Sequence, residues 1–377
     1  MARSLLQPGW DPQKAADAVL ARLVNICRPD VKGAHDADFL FANGKAYVVS
    51  MANDVQPGEN PVWPFVYNTL AVVDPASGRT ESVVTYAASG MRYDNVTLPE
   101  GAIFVPRMVR KDERTLRIFF TSENPEHRQS QTWRIDYDLT TARFASTIHP
   151  VELETSLGVF PMQPQHFYAH AAAKGFRHPA KTYGLYTFSI MPIDGCLYAH
   201  LNCFPGAQLA LATLNAAMDR FTIIGDFFLP HEARLTESAV NRLPDGSWLA
   251  ISRQDGRDGN YMFATSPDGH TWTPHEYRPL VPNGTNSKPT FDRFGDVYYL
   301  GWQEATQVDG AFRSVFNVDV SRDGIQWERK YRFATAKSFQ YPTFREYDGS
   351  IYLTVTQGDT AADRKERIMF GKLEDLA

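Results

Sequence analysis

A short pattern that recurs along the sequence constrains the fold more than any other feature. The clear copies are residues 236–246, 287–295 and 340–349, with apolar segments directly after them at residues 247–251, 297–302 and 350–355. Each copy contains an Asp-Gly or Phe-Gly pair, which is typical of the turn of a β-hairpin. Fainter copies cover residues 35–50 and 105–120, and a longer, looser copy runs from about residue 164 to 204. Recurrence every few tens of residues is typical of propellers and solenoids, and six copies predict six blades.

A second element continues two of these copies. Residues 266–272 and 321–327 both read Ser-x-Asp-Gly-x-x-Trp. We expect a turn between outer strands in which the Asp accepts turn amide hydrogen bonds, the Gly takes a positive φ and the Trp packs on the blade. Two copies in register with the first pattern favour a six-bladed β-propeller.

The start of the chain differs from the rest. Asp11 is suited to cap a helix, Pro12 suits its first position, and Ala16 and Leu20 fall on one face. The sequence therefore predicts an all-β fold, a six-bladed β-propeller with a short N-terminal helix. Residues 1–30 are a helical extension placed to supply a strand that closes the ring, and residues 31–377 are a single propeller domain.

Composition excludes several functions. The 43% hydrophobic content rules out a disordered chain, and a net charge of −5 without a basic stripe argues against a nucleic-acid partner. No apolar run is long enough for a membrane span or a secretory signal, so we expect no membrane partner and a cytoplasmic protein, or a periplasmic or secreted one if a leader has been removed. No cysteine or histidine spacing suits a metal, and no Gly-rich loop suits a nucleotide, so we predict neither a metal nor a cofactor. The oligomeric state stays open.

Charged and polar residues occur where the blades would meet the axis. Inner strands converge there, and so do the ends of the strands that follow them. The residues are His35, Asp36, Arg107, His166, Glu237, Lys288 and Tyr341 at inner-strand starts, and Asn53, Asp54, Glu123, Asn202, Arg253, Gln303 and Gln357 at the ends of the next strands. Burying so many polar groups is costly unless they meet a polar ligand, which predicts an axial binding site.

The two Ser-x-Asp-Gly-x-x-Trp elements match the Asp box (BNR repeat), and on these motifs the chain resembles the sialidase (exo-α-neuraminidase) superfamily. In that family a Glu opens an inner strand and an Arg ends the next, as Glu237 and Arg253 do here on either side of an Asp-Gly turn. A further Arg precedes an Asp box by about eight residues, as Arg313 does, and a Tyr opens the last blade, as Tyr341 does. The resemblance covers residues 237–357 well and the first half poorly.

One family motif is absent. Sialidases open the first blade with Arg-Ile-Pro, which supplies the third arginine of a carboxylate clamp, and this chain has Ala-His-Asp-Ala at residues 34–37. The chain thus resembles a divergent member, and Arg107 of the second blade is a candidate replacement.

The resemblance implies an exo-acting glycoside hydrolase that cleaves a sialic-acid-like or uronic-acid sugar from an acidic glycan. Arg253 and Arg313 would hold the sugar carboxylate, because bidentate geometry favours Arg. Tyr341 would be the nucleophile and Glu237 its base, with Asp54 as the acid and Asp36 as the competing candidate. The further candidate substrate-binding residues are Arg107, Lys288, Gln303, Gln357 and His166.

Two alternatives remain at this point. His35 and Tyr341 could act as base and acid of a polysaccharide lyase, which removes the proton α to a uronic acid carboxyl group. Arg253, Arg313 and Lys288 would then stabilise the enolate-like intermediate. The second alternative is a carbohydrate-binding propeller without turnover.

Overall fold

Alternating apolar strands separated by glycine-containing turns fold into a ring of small antiparallel sheets. The computed structural model describes residues 4–59, 65–124, 129–176, 184–204, 209–226, 234–255, 259–359 and 365–376. The helices and strands in chain order are α1 (Pro12–Leu20), β1 (Val24–Asn25), β2 (Gly33–Ala42), β3 (Lys45–Asn53), β4 (Tyr67–Val73), β5 (Thr80–Ala87), β6 (Ala102–Arg110), β7 (Thr115–Asn124), β8 (Gln129–Asp138), β9 (Arg143–Phe144), β10 (His149–Pro150), β11 (Glu152–Thr155), β12 (Gly158–Pro161), α2 (Pro164–Ala173), β13 (Gly184–Ile193), β14 (Cys196–Phe204), β15 (Leu209–Leu214), β16 (Arg220–Asp226), β17 (Leu235–Arg242), β18 (Trp248–Gln254), β19 (Tyr261–Ser266), β20 (Thr290–Phe294), β21 (Val297–Glu304), β22 (Val315–Ser321), β23 (Glu328–Ala334), β24 (Gln340–Tyr347), β25 (Ser350–Gln357) and β26 (Arg367–Asp375).

The described strands form six sheets, one per blade, which confirms the predicted six-bladed β-propeller and its short N-terminal helix. The blades in order are β2–β5, β6–β8 with β9 and β10, β13–β16 with β11 and β12, β17–β19, β20–β23, and β24–β26 with β1. The inner strands β2, β6, β13, β17, β20 and β24 contact one another in that order, and β24 contacts β2. The third blade is therefore opposite the sixth, and the second is opposite the fifth.

Chain segments from both ends build the sixth blade. Val24 and Asn25 of β1 pair with Phe370 and Met369 of β26, so the N-terminal segment adds the outermost strand. Helix α1 precedes this strand and begins after Asp11, whose carboxylate accepts two backbone amide hydrogen bonds at 3.0 Å. The helix packs its apolar face on the fifth and sixth blades.

In the third blade, the predicted start of the inner strand is wrong. The loose copy was expected to begin an inner strand near residue 164, but residues 164–173 form α2 and the inner strand begins at Gly184. Pro164 stands in the first turn of α2, where its missing N–H costs no hydrogen bond, and the run of alanines that follows favours a helix. His166 therefore lies on a helix and not at an inner-strand start.

Five of the inner strands carry a β-bulge near their start. In β24, Tyr341 and Pro342 stand opposite one residue of β25, since Gln340 pairs with Thr356 and Thr343 with Thr354. Similar register shifts occur in β2, β6, β13 and β17. Bulges re-aim side chains, so these positions decide what faces the axis.

The two Ser-x-Asp-Gly-x-x-Trp elements have the same turn geometry. Asp268 Oδ1 accepts hydrogen bonds from the amides of His270 and Thr271, at 2.8 and 2.9 Å, and Asp323 repeats this with the equivalent residues of its turn. The indole of Trp272 donates to the carbonyl of Gly269 at 2.9 Å. These hydrogen bonds hold each turn closed far from the axis.

Candidate functional site

The bulges place unusual backbone conformations at the axis. Asp36, Val105 and Tyr341 have φ values of 49°, 50° and 53°, in the left-handed region that non-glycine residues rarely adopt. Glu237 lies in the bulge of β17, and Lys288 lies just before β20. Strained backbone of this kind clusters at binding sites, and here it surrounds one group of charged side chains.

Tyr341, Glu237 and Arg253 form a closed triangle of hydrogen bonds. The Tyr341 hydroxyl donates to Glu237 Oε1 at 2.5 Å, and Arg253 Nη1 donates to Glu237 Oε2 and to Tyr341 Oη, each at 2.7 Å. Arg253 Nε also binds Asp255 at 2.6 Å. Tyr341 is buried, with 5% of its surface exposed.

Opposing effects set the protonation of Tyr341. Burial raises its pKa well above the usual value, and the Glu237 carboxylate raises it further, whereas Arg253 and Arg313 lower it. The phenol is therefore protonated in the resting site. Both a proton acceptor and a stabilising cation are already in contact with the phenol oxygen.

Arg313 is a buried cation with unused donors. Its guanidinium lies 5.7 Å from the Tyr341 ring centroid, and Nη1 donates to Gln340 Oε1 at 3.2 Å. Within the described residues Arg313 forms no ion pair with a carboxylate, and its buried Nε has no hydrogen-bond partner. A buried charge without a partner is costly, so this position suits an anionic ligand.

His35 lies against Tyr341 but is held as a neutral base. The two ring centroids are 4.3 Å apart at 62°, and His35 Nδ1 is 3.1 Å from Thr356 Oγ1. Burial, followed by the charges of Lys365, Arg313, Lys288 and Arg253, lowers the pKa of His35 well below its usual value.

Asp36 and Arg107 form a buried ion pair. Arg107 Nη2 donates to both oxygens of Asp36 at 3.0 and 2.8 Å, and Nε donates to the Phe188 carbonyl at 2.8 Å. Lys288 Nζ binds the same carboxylate at 2.6 Å. These cations outweigh burial and lower the pKa of Asp36, which therefore stays ionised. An aspartate therefore occupies the bulge of the first blade and binds Arg107, the candidate replacement for the clamp arginine.

Lys288 also lies beside the proposed nucleophile, with Nζ 5.2 Å from the Tyr341 ring centroid. The structure thus brings together seven sequence-predicted residues around the axis. They are His35, Asp36, Arg107, Glu237, Arg253, Lys288 and Tyr341, with Arg313 against the tyrosine ring.

Four further candidates lie outside this contact network among the described residues. Asp54 accepts from the Tyr67 hydroxyl and is 3.9 Å from Arg28, with 46% of its side chain exposed. His166 stacks on Phe160 at 4.6 Å. Gln303 is buried and donates to the Val315 carbonyl at 2.8 Å, and Gln357 is buried at the end of β25. The role of Asp54 as the acid stays a prediction.

Two acidic residues near the axis were not among the predicted catalytic residues. Asp255 forms an ion pair with Nε of Arg253. Its position two residues after that arginine could have identified it in the sequence. Glu123, at the end of β7, accepts a hydrogen bond from the Tyr186 hydroxyl, and burial raises the pKa of Glu123 to about 7. Glu123 belongs to the strand-end set of polar residues, but its altered pKa depends on burial that the sequence does not display.

A large cavity lies at the opposite end of the axis. It has a volume of about 980 Å³ and is lined by inner-strand ends and their turns, including Met108, Ile190, Phe291 and Phe344. A narrow cavity of about 50 Å³ lies along the axis beside Arg107 and Lys288. Neither contains Tyr341, so volume alone does not locate the charged cluster.

No cluster of three or more His, Cys, Asp or Glu side chains in the described part of the chain could hold a metal ion. Among the same residues, neither helix has the length and apolar character needed to cross a membrane.

Comparison with known proteins reveals similarity only at the level of structure. No family model matches the sequence, and no curated protein matches it. A protein of unknown function from Dyadobacter fermentans aligns with a TM-score of 0.62 and 11% identity, over 94% of this chain and 98% of that one. The NanB sialidase of Streptococcus pneumoniae aligns with a TM-score of 0.60 and 9% identity, over 94% of this chain and 70% of that one.

A sialidase of Trypanosoma rangeli, solved with sialic acid, aligns with a TM-score of 0.58 and 12% identity, over 93% of this chain. The chain spans 57% of that protein's length. At these identities the similarity establishes the fold alone: the chain has the six-bladed propeller fold found in sialidases.

Proposed function

We propose that this chain is an exo-acting glycoside hydrolase that releases an anionic sugar from an acidic glycan. One observation carries the proposal: a buried tyrosine whose hydroxyl contacts both a carboxylate and an arginine, beside a second arginine that has no carboxylate partner among the described residues. Covalent catalysis through a phenol requires such a base and cation, and a negatively charged sugar requires such a free arginine.

The contacts define a role for each residue. Glu237 accepts the phenol proton while Tyr341 Oη bonds to the anomeric carbon, and Arg253 stabilises the charge that develops on that oxygen. The bond to the leaving oxygen breaks as a carboxylic acid protonates it. Water then displaces Tyr341 and gives one proton to the carboxylate that acted as the acid, while the tyrosine oxygen regains its proton from Glu237. The two displacements together retain the anomeric configuration. Arg313 holds the sugar carboxylate throughout.

The structural neighbours make sialic acid the first sugar to test. One is a Trypanosoma rangeli sialidase solved with sialic acid, and that sialidase has also been solved as a covalent intermediate with 2,3-difluorosialic acid. The aspartate at the first-blade bulge removes one cation from the expected clamp, so uronic acids belong in the same panel.

Covalent labelling tests the proposal. The protein is incubated with 2,3-difluorosialic acid and digested, and we expect the added mass on the peptide that contains Tyr341. Tyr341→Phe should show no label, whereas the control Tyr352→Phe, a ring packed between Phe41 and Phe370, should be labelled as the wild type is. Label on another residue would contradict the role of Tyr341. A panel of sialosides and uronic-acid oligosaccharides, followed by reducing-sugar release, identifies the sugar.

The contact between His35 and Tyr341 supports lyase chemistry as a second candidate. A depressed pKa makes His35 a weak base, which favours hydrolysis. Ultraviolet absorbance of an unsaturated uronate, without reducing-sugar release by hydrolysis, would establish elimination instead. Binding of the sugar without either product would establish a carbohydrate-binding protein.

A further inference from the structure

A second group of reactive side chains lies at the outer edge of the third blade, away from the axis. The strands β11 and β12 are the outermost strands of this blade, and the turn between them contains Ser156. Helix α2 follows this hairpin and carries His170, and β16 ends at Asp226. Three different elements of the blade therefore bring a serine, a histidine and an aspartate together.

The three side chains form a continuous chain of hydrogen bonds. Ser156 Oγ is 2.8 Å from His170 Nδ1, and His170 Nε2 is 2.8 Å from Asp226 Oδ1. An activated serine requires a base within hydrogen-bond reach and a third group that orients this base. The two distances meet that requirement.

The backbone decides which nitrogen of His170 carries the hydrogen. The amide N–H of Ser156 donates to His170 Nδ1 at 3.3 Å, and an amide N–H can only donate. Nδ1 of the neutral ring is therefore an acceptor, and Nε2 carries the hydrogen that Asp226 accepts. In this tautomer the Ser156 hydroxyl donates to Nδ1, which is the contact that removal of its proton requires.

Packing and a second ion pair hold the base in place. Helix α2 buries Phe167 and Ala171 in the core of the third blade. The side chains of His170 and Asp226 are 2% and 8% exposed. Lys174, directly after α2, binds Asp226 Oδ2 and leaves Oδ1 for the histidine. The base and its carboxylate are therefore buried and fixed by contacts on both sides.

Ser156, in contrast, is exposed at the tip of its hairpin. The Leu157 amide donates to Thr155 Oγ1 at 3.1 Å, and Gly158 has a φ of 133°, which suits glycine in a tight turn. Leu157 and Val159 are 50% and 43% exposed. Exposed apolar side chains next to a nucleophile offer a contact surface for the acyl part of a substrate.

We infer that Ser156, His170 and Asp226 form a second active site, which hydrolyses carboxylic esters. This activity goes beyond the proposed glycoside hydrolysis and does not depend on it. Esters are the substrate class because an alcohol leaves more readily than an amine, and an exposed site gives the developing oxyanion less electrostatic stabilisation than a buried one.

The contacts define the steps of the reaction. Ser156 Oγ bonds to the acyl carbon as His170 Nδ1 takes its proton, and the alcohol leaves with that proton. Water then attacks the acyl-serine and gives a proton to His170, which passes it to Ser156 Oγ as the carboxylic acid is released. Asp226 acts through the imidazole and is a positioning residue.

Covalent labelling tests whether Ser156 is activated. The protein is incubated with a fluorophosphonate, from whose phosphorus a reactive serine oxygen displaces fluoride, and is then digested. We expect the added mass on the peptide that contains Ser156 and no label in Ser156→Ala. The matched control is Ser77→Ala, at an exposed turn serine that accepts from the Arg79 amide, and this variant should be labelled as the wild type is.

Hydrolysis of 4-nitrophenyl butyrate measures turnover. We expect Ser156→Ala to lower kcat/KM by at least about 10²-fold and Ser77→Ala to leave it unchanged. Asp226→Asn should lower kcat with little change in KM, because the carboxylate orients the base and does not bind the ester. Urea unfolding of each variant separates loss of activity from loss of fold, and Ser156→Ala changes only an exposed turn.

The two measurements can each overturn the assignment. Label on another residue, or wild-type butyrate hydrolysis that Ser156→Ala does not lower, would show that Ser156 is not the nucleophile. A wild-type protein with neither label nor ester turnover would show that the three residues only fasten α2 to the hairpin. Neither measurement uses a glycoside, so their failure is distinguishable from failure of the proposed function.

Discussion

The hydroxyl of Tyr341 donates a 2.5 Å hydrogen bond to Glu237, a residue 104 positions earlier in the chain and two blades away in the ring. The bond spans the fifth blade, so it exists only when the ring geometry is correct. Arg253 contacts both partners, so any change to the tyrosine also alters the carboxylate and the guanidinium.

Tyr341→Phe should abolish hydrolysis and spare the fold. Without the hydroxyl there is no nucleophile, so we expect kcat to fall by at least about 10²-fold with little change in affinity for a non-hydrolysable sugar analogue. Glu237 keeps its bond to Arg253, so the free energy of unfolding should fall by only about 1 kcal/mol. Steady-state kinetics and urea unfolding measure the two effects. A large loss of affinity at unchanged kcat would contradict the nucleophile role.

Arg313→Met should weaken ligand binding without destabilising the protein. The substitution removes a buried charge that has no carboxylate partner among the described residues, so the free energy of unfolding should stay the same or rise. Affinity for the anionic sugar should fall by about 10- to 100-fold, the loss of a charge-assisted hydrogen bond. Calorimetry and urea unfolding measure both quantities.

Arg345→Met is the matched control for Arg313. This arginine lies further along the strand that carries Tyr341, and it binds Asp38 at 2.7 Å and the Phe39 carbonyl at 3.1 Å. We expect its removal to lower stability and leave sugar affinity unchanged. If the two arginine variants behave alike, Arg313 has no special relation to the ligand.

Asp36→Asn should destabilise the fold far more than a surface change. Arg107 and Lys288 would remain buried without their carboxylate, at a cost of about 3–5 kcal/mol. Asp296→Asn breaks an exposed pair with Arg322 and should have a much smaller effect. Urea unfolding compares the two variants. Equal stabilities would show that the buried triad is not a structural unit.

Acid should destabilise the protein through buried neutral histidines. Burial, followed by the charge of His275, lowers the pKa of His200 to about 3, from about 6.5 in an unfolded chain. The unfolded chain thus binds the additional proton between these values, so stability is full above pH 6.5 and falls as the pH drops below it. Between pH 7 and pH 5, His200→Gln should lose about 1–2 kcal/mol less than the wild type.

Urea unfolding at the two pH values measures this difference. His149→Gln, at an exposed position, should follow the wild type. A wild-type stability that does not change between pH 7 and pH 5 would contradict a depressed pKa for His200.

Repeats made the architecture predictable from sequence. Turn residues and apolar segments recur locally, and local patterns specify how many blades form and which strand lies innermost. The loose third copy gave a wrong prediction for residues 164–173. Pro164 and the alanines after it favour a helix, and a helix forms there in place of the expected inner strand. His166 was consequently expected at an inner-strand start.

Part of the site was equally predictable, since Glu237, Arg253 and Tyr341 stand at repeated positions and the ring brings these together. The pairing of Arg107 with Asp36 could not be predicted from the sequence, because it joins neighbouring blades through one rotamer of a long side chain. The raised pKa of Glu123 depends on its burial in the folded ring, which no local pattern displays.

The pairing of β1 with β26 also has a consequence for the order in which the protein matures. The sixth blade joins residues 24–25 to residues 367–375, so it cannot be completed until the ribosome has released residue 375. Tyr341 lies in that blade and Glu237 in one made earlier. The hydrogen bond between them therefore forms only when the sixth blade is complete. Until then, the nascent chain has Glu237 and the arginines of the site without Tyr341 in position.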